Sequence, residues 1–230
     1  MRITLSLAIS AAILNVITIA LTVTAANGIA APAVAGPPNS CPPTCDRIPA
    51  AAWIAADALP MDSQYSWPAL AGLAVTANDP RFRFEEMCAT PNLDQDPRRY
   101  AVAERSTVTA PDGRWRLQAQ ILHWRGDTWR GGELAHQVLA AAAESLRACQ
   151  RSVPALSPSL SVGDDRVAAA VSGPEILHEY LLADPASSTI TELALWSGSP
   201  VGAPYPSTDD ANVFAALGEP LCDAYLGSCS

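Results

Sequence analysis

Two stretches, 100–109 and 114–124, alternate apolar and polar positions on either side of Ala110-Pro111-Asp112-Gly113. Proline presets φ and glycine accepts positive φ, so these four residues predict a turn and the flanks a β-hairpin. In the second strand Trp115, Leu117, Ala119, Ile121 and His123 fall on one side, and Arg116, Gln118, Gln120 and Leu122 on the other. That spacing predicts an antiparallel sheet with one buried face. The period then changes. Over 132–150, Leu134, Val138, Ala142, Leu146 and Cys149 form the apolar stripe of a helix, with Glu133 near its start and Arg147 and Arg151 near its end, as the helix dipole favours. Strands follow at 159–162 and 166–172 around Gly163-Asp164-Asp165, and at 178–183 and 188–197 around Asp184-Pro185. A last helix starts near Ser207 or Thr208, with Asp210 as a capping-box-like carboxylate, and runs towards Leu217.

Upstream of the hairpin, 49–59 predicts a helix with Pro49 in its first turn and Trp53, Ile54 and Leu59 as buried positions. The Ala- and Leu-rich stretch 67–76 predicts a second helix, ending before Asn78-Asp79-Pro80. Residues 81–88 alternate Arg and Phe and predict a short strand. The order αα–βββ–α–ββββ–α defines an α+β fold, a mainly antiparallel sheet with packed helices.

The N-terminus carries an export pattern. An apolar run over 3–26 follows Arg2, and Ala33-Val34-Ala35 is an A-x-A cleavage pattern. The reading is a signal peptide over 1–35 that is cleaved, a Pro-rich leader over 36–45, and a single α+β domain over 46–230. An uncleaved anchor is the alternative, since such a run is long enough to span a bilayer. Cys41, preceded by Pro-Pro-Asn-Ser, lacks the context of a lipid-attachment site. Cys41, Cys45, Cys88, Cys149, Cys222 and Cys229 all follow the signal, and an even count there predicts three disulfides. Domain termini often lie close together, which ties the first pair to the last and leaves Cys88 with Cys149. Local closures Cys41–Cys45 and Cys222–Cys229 are the alternative.

Composition narrows the chemistry. The 230 residues carry a net charge of −9, and all 14 basic residues are arginine. Without lysine there is no Schiff-base chemistry and no phosphate-binding loop ending in Gly-Lys-Ser/Thr. The acidic balance argues against nucleic acid and against anionic lipid surfaces. No cofactor is predicted, and no membrane association once the signal is removed.

Candidate chemistry is sparse. Glu133/His136 and Glu175/His178 each have the Glu-x-x-His spacing of di-iron bundles, but the four-helix bundle that would unite them is missing, so no metal site is predicted. Glu85-Glu86 and Asp164-Asp165 read as solvated loop charges, and His123 as a hydrogen-bonded core histidine. No nucleophile motif is present, and no catalytic residue is assigned. The loop 124–130 is the candidate ligand-binding segment, with Trp124, Arg125, Asp127, Trp129 and Arg130 as its residues, because binding surfaces concentrate aromatics and arginine. The competing reading of each tryptophan is a cap on the core beneath the helix. The embedded Arg-Gly-Asp is too short to carry weight.

The lysine-free Ala/Pro/Arg-rich composition, the A-x-A signal and the cysteine-stapled α+β plan resemble exported actinobacterial proteins of the mycobacterial cell envelope. The element order resembles the extracytoplasmic sensor domain of the mycobacterial serine/threonine kinase PknH and its secreted relatives: a helix ending in a cysteine, Cys149, follows a strand pair, with Cys88 before it. Six cysteines exceed the four expected of that family. The resemblance implies ligand sensing or binding in a cleft, with no catalytic residues. The expected function is therefore a secreted, non-catalytic envelope binding module, whose partner is an unknown small molecule or an envelope protein. The alternatives are a small secreted hydrolase using two carboxylates, which needs paired buried acids in a cleft, and an envelope protein-interaction factor, which needs a flat apolar patch.

Overall fold

Residues 41–198 and 203–229 are described by the computed structural model; the signal segment and the leader as far as Ser40 lie outside the described residues. Seven strands, β1 (Val75–Thr76), β2 (Val102–Thr109), β3 (Trp115–His123), β4 (Ser157–Val162), β5 (Arg166–Ser172), β6 (Glu175–Asp184) and β7 (Thr189–Gly198), form one antiparallel sheet. Their spatial order is β1-β2-β3-β7-β6-β5-β4. The helices are α1 (Asp62–Tyr65), α2 (Arg83–Met87), α3 (Thr128–Ser152) and α4 (Asp210–Ala224). The 25-residue α3 carries the chain from central β3 to edge strand β4. Successive hairpins then return it, until β7 pairs with β3 in the register Leu117↔Leu195.

Both faces of this sheet are buried, which corrects the expectation of one. On one face Trp115, Leu117, Ile121, Tyr180, Leu193 and Leu195 pack under α4 and residues 41–74. On the other, Leu122, Leu177, Leu181, Ile190 and Trp196 pack under α3 and α2. Gln118 and Gln120 point to that second face as predicted, yet they are buried there instead of solvated. Alternation reports which side a residue faces; what covers that side is decided by distant segments.

Three local expectations are corrected for related reasons. Residues 49–59 form two short 3-10 turns, Ala50–Ala52 and Ala56–Ala58, with extended backbone between them. This path buries Ala52, Trp53 and Ile54 together. A helix would fan three consecutive side chains over about 200° and could not, and so short a helix is marginal without a packed stripe. Residues 67–76 likewise give only a 3-10 turn, Leu70–Leu73, before β1. The Arg/Phe stretch 81–88 is α2, not a strand. Glu85 at the third helical position accepts from the Phe82 backbone N–H at 2.8 Å, satisfying a donor that the first turn leaves open. Phe82 and Phe84 are both buried, with ring centroids 6.2 Å apart. The final helix is capped by Asp209, which accepts from Ala211 N at 3.0 Å, instead of near Ser207, and it runs on to Ala224.

Cys88–Cys149 is joined as expected and ties the end of α2 to α3, with the Cα atoms 4.9 Å apart. The other two bonds are the local closures Cys41–Cys45 and Cys222–Cys229, so the pairing of first with last cysteines is corrected. Its premise holds by another route. The termini do meet, through Cys41 N donating to Ala224 O at 2.7 Å and Leu226 N to Cys41 O at 2.9 Å. Among the described residues no helix is long and apolar enough to cross a membrane.

Candidate ligand-binding groove

The 124–130 loop links β3 to α3 and is held from both sides. Trp124 N donates to Ser188 O at 2.9 Å and its indole Nε1 to Pro97 O at 3.0 Å. Gly126, at φ +107°, donates to Pro43 O at 2.9 Å, in a conformation L side chains rarely adopt. Asp127 caps α3 by accepting from Arg130 N at 3.2 Å. The helix begins earlier than its apolar stripe suggested, because Gly131 lies against the β6–β7 turn. A Cβ there would stand 2.4 Å from Ser188 Cβ.

These contacts open a groove of about 1010 Å³ whose walls include Thr44, Gln95, Tyr100, Arg125, Arg130 and Gln137. Trp124, Asp127 and Leu134 also line it. Of the loop candidates, Trp124, Arg125, Asp127 and Arg130 thus come together. Trp129 does not: it is 76% exposed and borders a separate shallow depression with His136 and Pro185. Trp124 lines the groove but is buried in the core cluster beneath α3, so the core-capping reading describes this ring. Thr44, Gln95, Tyr100 and Gln137 were missed. They come from the leader, the 95–100 segment and α3, and single polar residues in separate segments carry no local signal.

The electrostatics of the lining are simple. Arg125 and Arg130 are exposed, and neither forms an ion pair among the described residues. The groove is a locally cationic place in an acidic chain.

Beside it lies a smaller apolar pocket of about 180 Å³, bounded by Phe82, Leu93, Val138, Ala141 and Ala142. One end is closed by Arg98, which donates to both Glu85 oxygens at 2.7 and 2.9 Å and to Asp96 at 2.6–3.0 Å. Burial pushes the Asp96 carboxyl up, but the hydrogen bonds and charge of Arg98 outweigh it and leave the group below the usual range. Glu85 is therefore a buried ion-pair member, not a solvated loop charge, whereas Glu86 is exposed and pairs with Arg83.

A second acidic pair lies deeper. Glu179 on β6 and Glu192 on β7 are diagonal neighbours on the α3 face, 0% and 1% exposed. Glu192 accepts from Arg83 N and from Gln118 Nε2, the latter at 2.9 Å. Among the described residues neither Glu179 oxygen meets a hydrogen-bond donor, and the Glu192 carboxyl is its neighbour. Burial, and then the charge of Glu192, raise the Glu179 pKa well above the ordinary carboxyl value. These are the paired buried acids that a hydrolase reading asks for, but they line neither the groove nor the apolar pocket.

Only His123 has the setting of a hydrogen-bonded core histidine among the described residues. His123 is buried, with Nδ1 3.0 Å from Ser187 O and its ring stacked 4.6 Å from Tyr225, and burial lowers its pKa. Glu175 and His178 sit three apart on a strand, hence on opposite faces. Glu175 pairs with Arg83 at 3.1 Å, while His178 stacks on Tyr205 at 3.6 Å. Glu133 and His136 share a face of α3 beside Trp129. Among the described residues the only cluster with ligand-like spacing is Cys222, Asp223 and Cys229, and both of its sulfurs are engaged in a disulfide.

Fold and groove define a disulfide-stapled α+β domain with a sheet covered on both faces and a cationic groove at the start of its longest helix. No protein-family model, curated protein or solved structure matches the chain.

Proposed function

We propose that this chain is an exported cell-envelope module that captures a ligand in the groove without transforming it, a sensor-like role of the kind implied by its resemblance to the PknH-type extracytoplasmic domain. The observation that carries the reading is the pair Arg125 and Arg130, two exposed guanidiniums with no carboxylate partner among the described residues, on the walls of a groove of about 1010 Å³. Among the described residues the lining contains no histidine, cysteine, serine or glutamate, and its one carboxylate, Asp127, caps α3. Three disulfides favour an oxidising compartment, in keeping with the export pattern over 1–35. The hydrolase alternative is weakened by the inaccessibility of Glu179 and Glu192. Exposed Trp129 favours a secondary reading, contact with an envelope protein beside the groove.

Mass spectrometry of the exported protein tests the proposal. The denatured mass should correspond to cleavage after Ala35 with six cysteines oxidised. The native spectrum should carry an additional mass that is absent from an Arg125→Gln/Arg130→Gln variant. Identical bound mass in both proteins, or a bare wild-type chain, would count against capture in this groove.

A further inference from the structure

The open groove and the apolar pocket adjoin along α3, sharing Pro97 and Gln137 as lining residues. Their chemistries are opposite. The groove offers two guanidiniums that form no ion pair among the described residues, and a guanidinium fork matches the two oxygens of a carboxylate or phosphate. The pocket offers carbon: Phe82, Leu93, Val138, Ala141 and Ala142 bound it. The charges at its end are already engaged, because Arg98 is bonded to Glu85 and Asp96. At 180 Å³ it slightly exceeds the roughly 150 Å³ of an apolar cavity that holds benzene, so about six carbons fit. Leu93 is 47% exposed beside it, an apolar side chain left in water on the pocket wall.

We infer that the two cavities form one site for an anionic amphiphile, with a phosphate or carboxylate head between Arg125 and Arg130 and an apolar segment of about six carbons passing Gln137 into the pocket beside Leu93. The inference rests on the groove being the binding site and adds the class of its ligand. A neutral amphiphile would leave both guanidiniums unanswered. A bare anion would leave the pocket unfilled.

Calorimetric titration of the mature protein with inorganic phosphate, butyl, hexyl and octyl phosphate, hexanoate and hexyl glucoside tests this, with every probe kept below its micelle-forming concentration. Affinity should rise by about fourfold per methylene from butyl to hexyl phosphate and then level off at octyl, once the pocket is full. Hexyl phosphate or hexanoate should bind at least about tenfold more tightly than hexyl glucoside, and whichever of the two is tighter identifies the head group. Arg125→Gln/Arg130→Gln should weaken the tighter probe by about tenfold or more. Ala141→Leu, which fills the pocket from α3, should abolish the gain per methylene. The chain-length series on the unaltered protein stands whether or not that variant folds.

A flat series, or hexyl glucoside equal to both anionic probes, overturns the inference. So does inorganic phosphate binding as tightly as hexyl phosphate; if that binding is lost in the double arginine variant, the groove reading survives. Alkyl phosphate binding that is indifferent to the arginines overturns both readings. No binding by any probe overturns the amphiphile alone and leaves the groove to the bound-mass test.

Discussion

Replacing Glu179 with glutamine should make the protein more stable at neutral pH, although it alters a side chain at the centre of the sheet. Glu179 is fully buried, neither of its oxygens meets a hydrogen-bond donor among the described residues, and the Glu192 carboxyl lies diagonally across the β6–β7 ladder. Burial first, and then the charge of Glu192, raise its folded-state pKa above the 4.5 of the unfolded chain. Between those two values the unfolded state binds fewer protons than the folded one, so stability falls as pH rises. The contribution is fully present below about pH 4.5 and is lost at about 1.4 kcal/mol per pH unit above it, until the folded-state value is reached. Glutamine has nearly the same shape and cannot ionise. The pair titrates as a unit, so the observable is the difference between two curves. Urea unfolding with disulfides intact, at half-unit steps from pH 4 to 7, should give similar stabilities near pH 4 and a variant that gains about 1.4 kcal/mol between pH 5 and 6. Parallel curves from pH 5 to 7, or a variant less stable than wild type at pH 7, would refute the assignment of the proton to Glu179.

Arg98→Met should cost about 3–5 kcal/mol at pH 7 by leaving Glu85 and Asp96 as uncompensated buried charges, and the loss should shrink at acid pH as Asp96, held below its usual range by Arg98 in the wild type, protonates in the variant; chemical denaturation at pH 7 and pH 4 reads this. Cys88→Ser/Cys149→Ser opens a closure spanning 61 positions and should lower stability by about 4 kcal/mol on the chain-entropy estimate, measured against wild type in urea. Gly131→Ala should cost about 1–3 kcal/mol, because its Cβ would stand 2.4 Å from Ser188 Cβ. Ser188→Gly should restore much of that loss in thermal melts, since it removes the clashing atom and relieves a residue held at φ +55°.

In several places a local signal carried through from the sequence alone. The β2–β3 hairpin follows from alternation around Ala110-Pro111-Asp112-Gly113, and the α3 stripe from Leu134 to Cys149 recurs as a buried face. Three disulfides follow from an even cysteine count, and the groove draws four of its residues from the one loop rich in tryptophan and arginine. Other outcomes depended on segments far along the chain. Gln118 and Gln120 occupy the polar positions of an alternating strand and read as solvated, until α2 is laid over that face and buries them beside Glu192. Trp124 and Trp129 share one loop, yet one enters the core, where Pro97 accepts from its indole, and the other stays exposed among the described residues. Residues 81–88 carry a strand-like alternation, but Glu85 caps a helix and Arg98 draws it inward. Backbone period and turn chemistry act over a few residues, so they can be read in one dimension. Burial and the partnering of charges are set by contacts across scores of residues, as between the guanidinium of Arg83 and Glu175, and only the tertiary structure decides them.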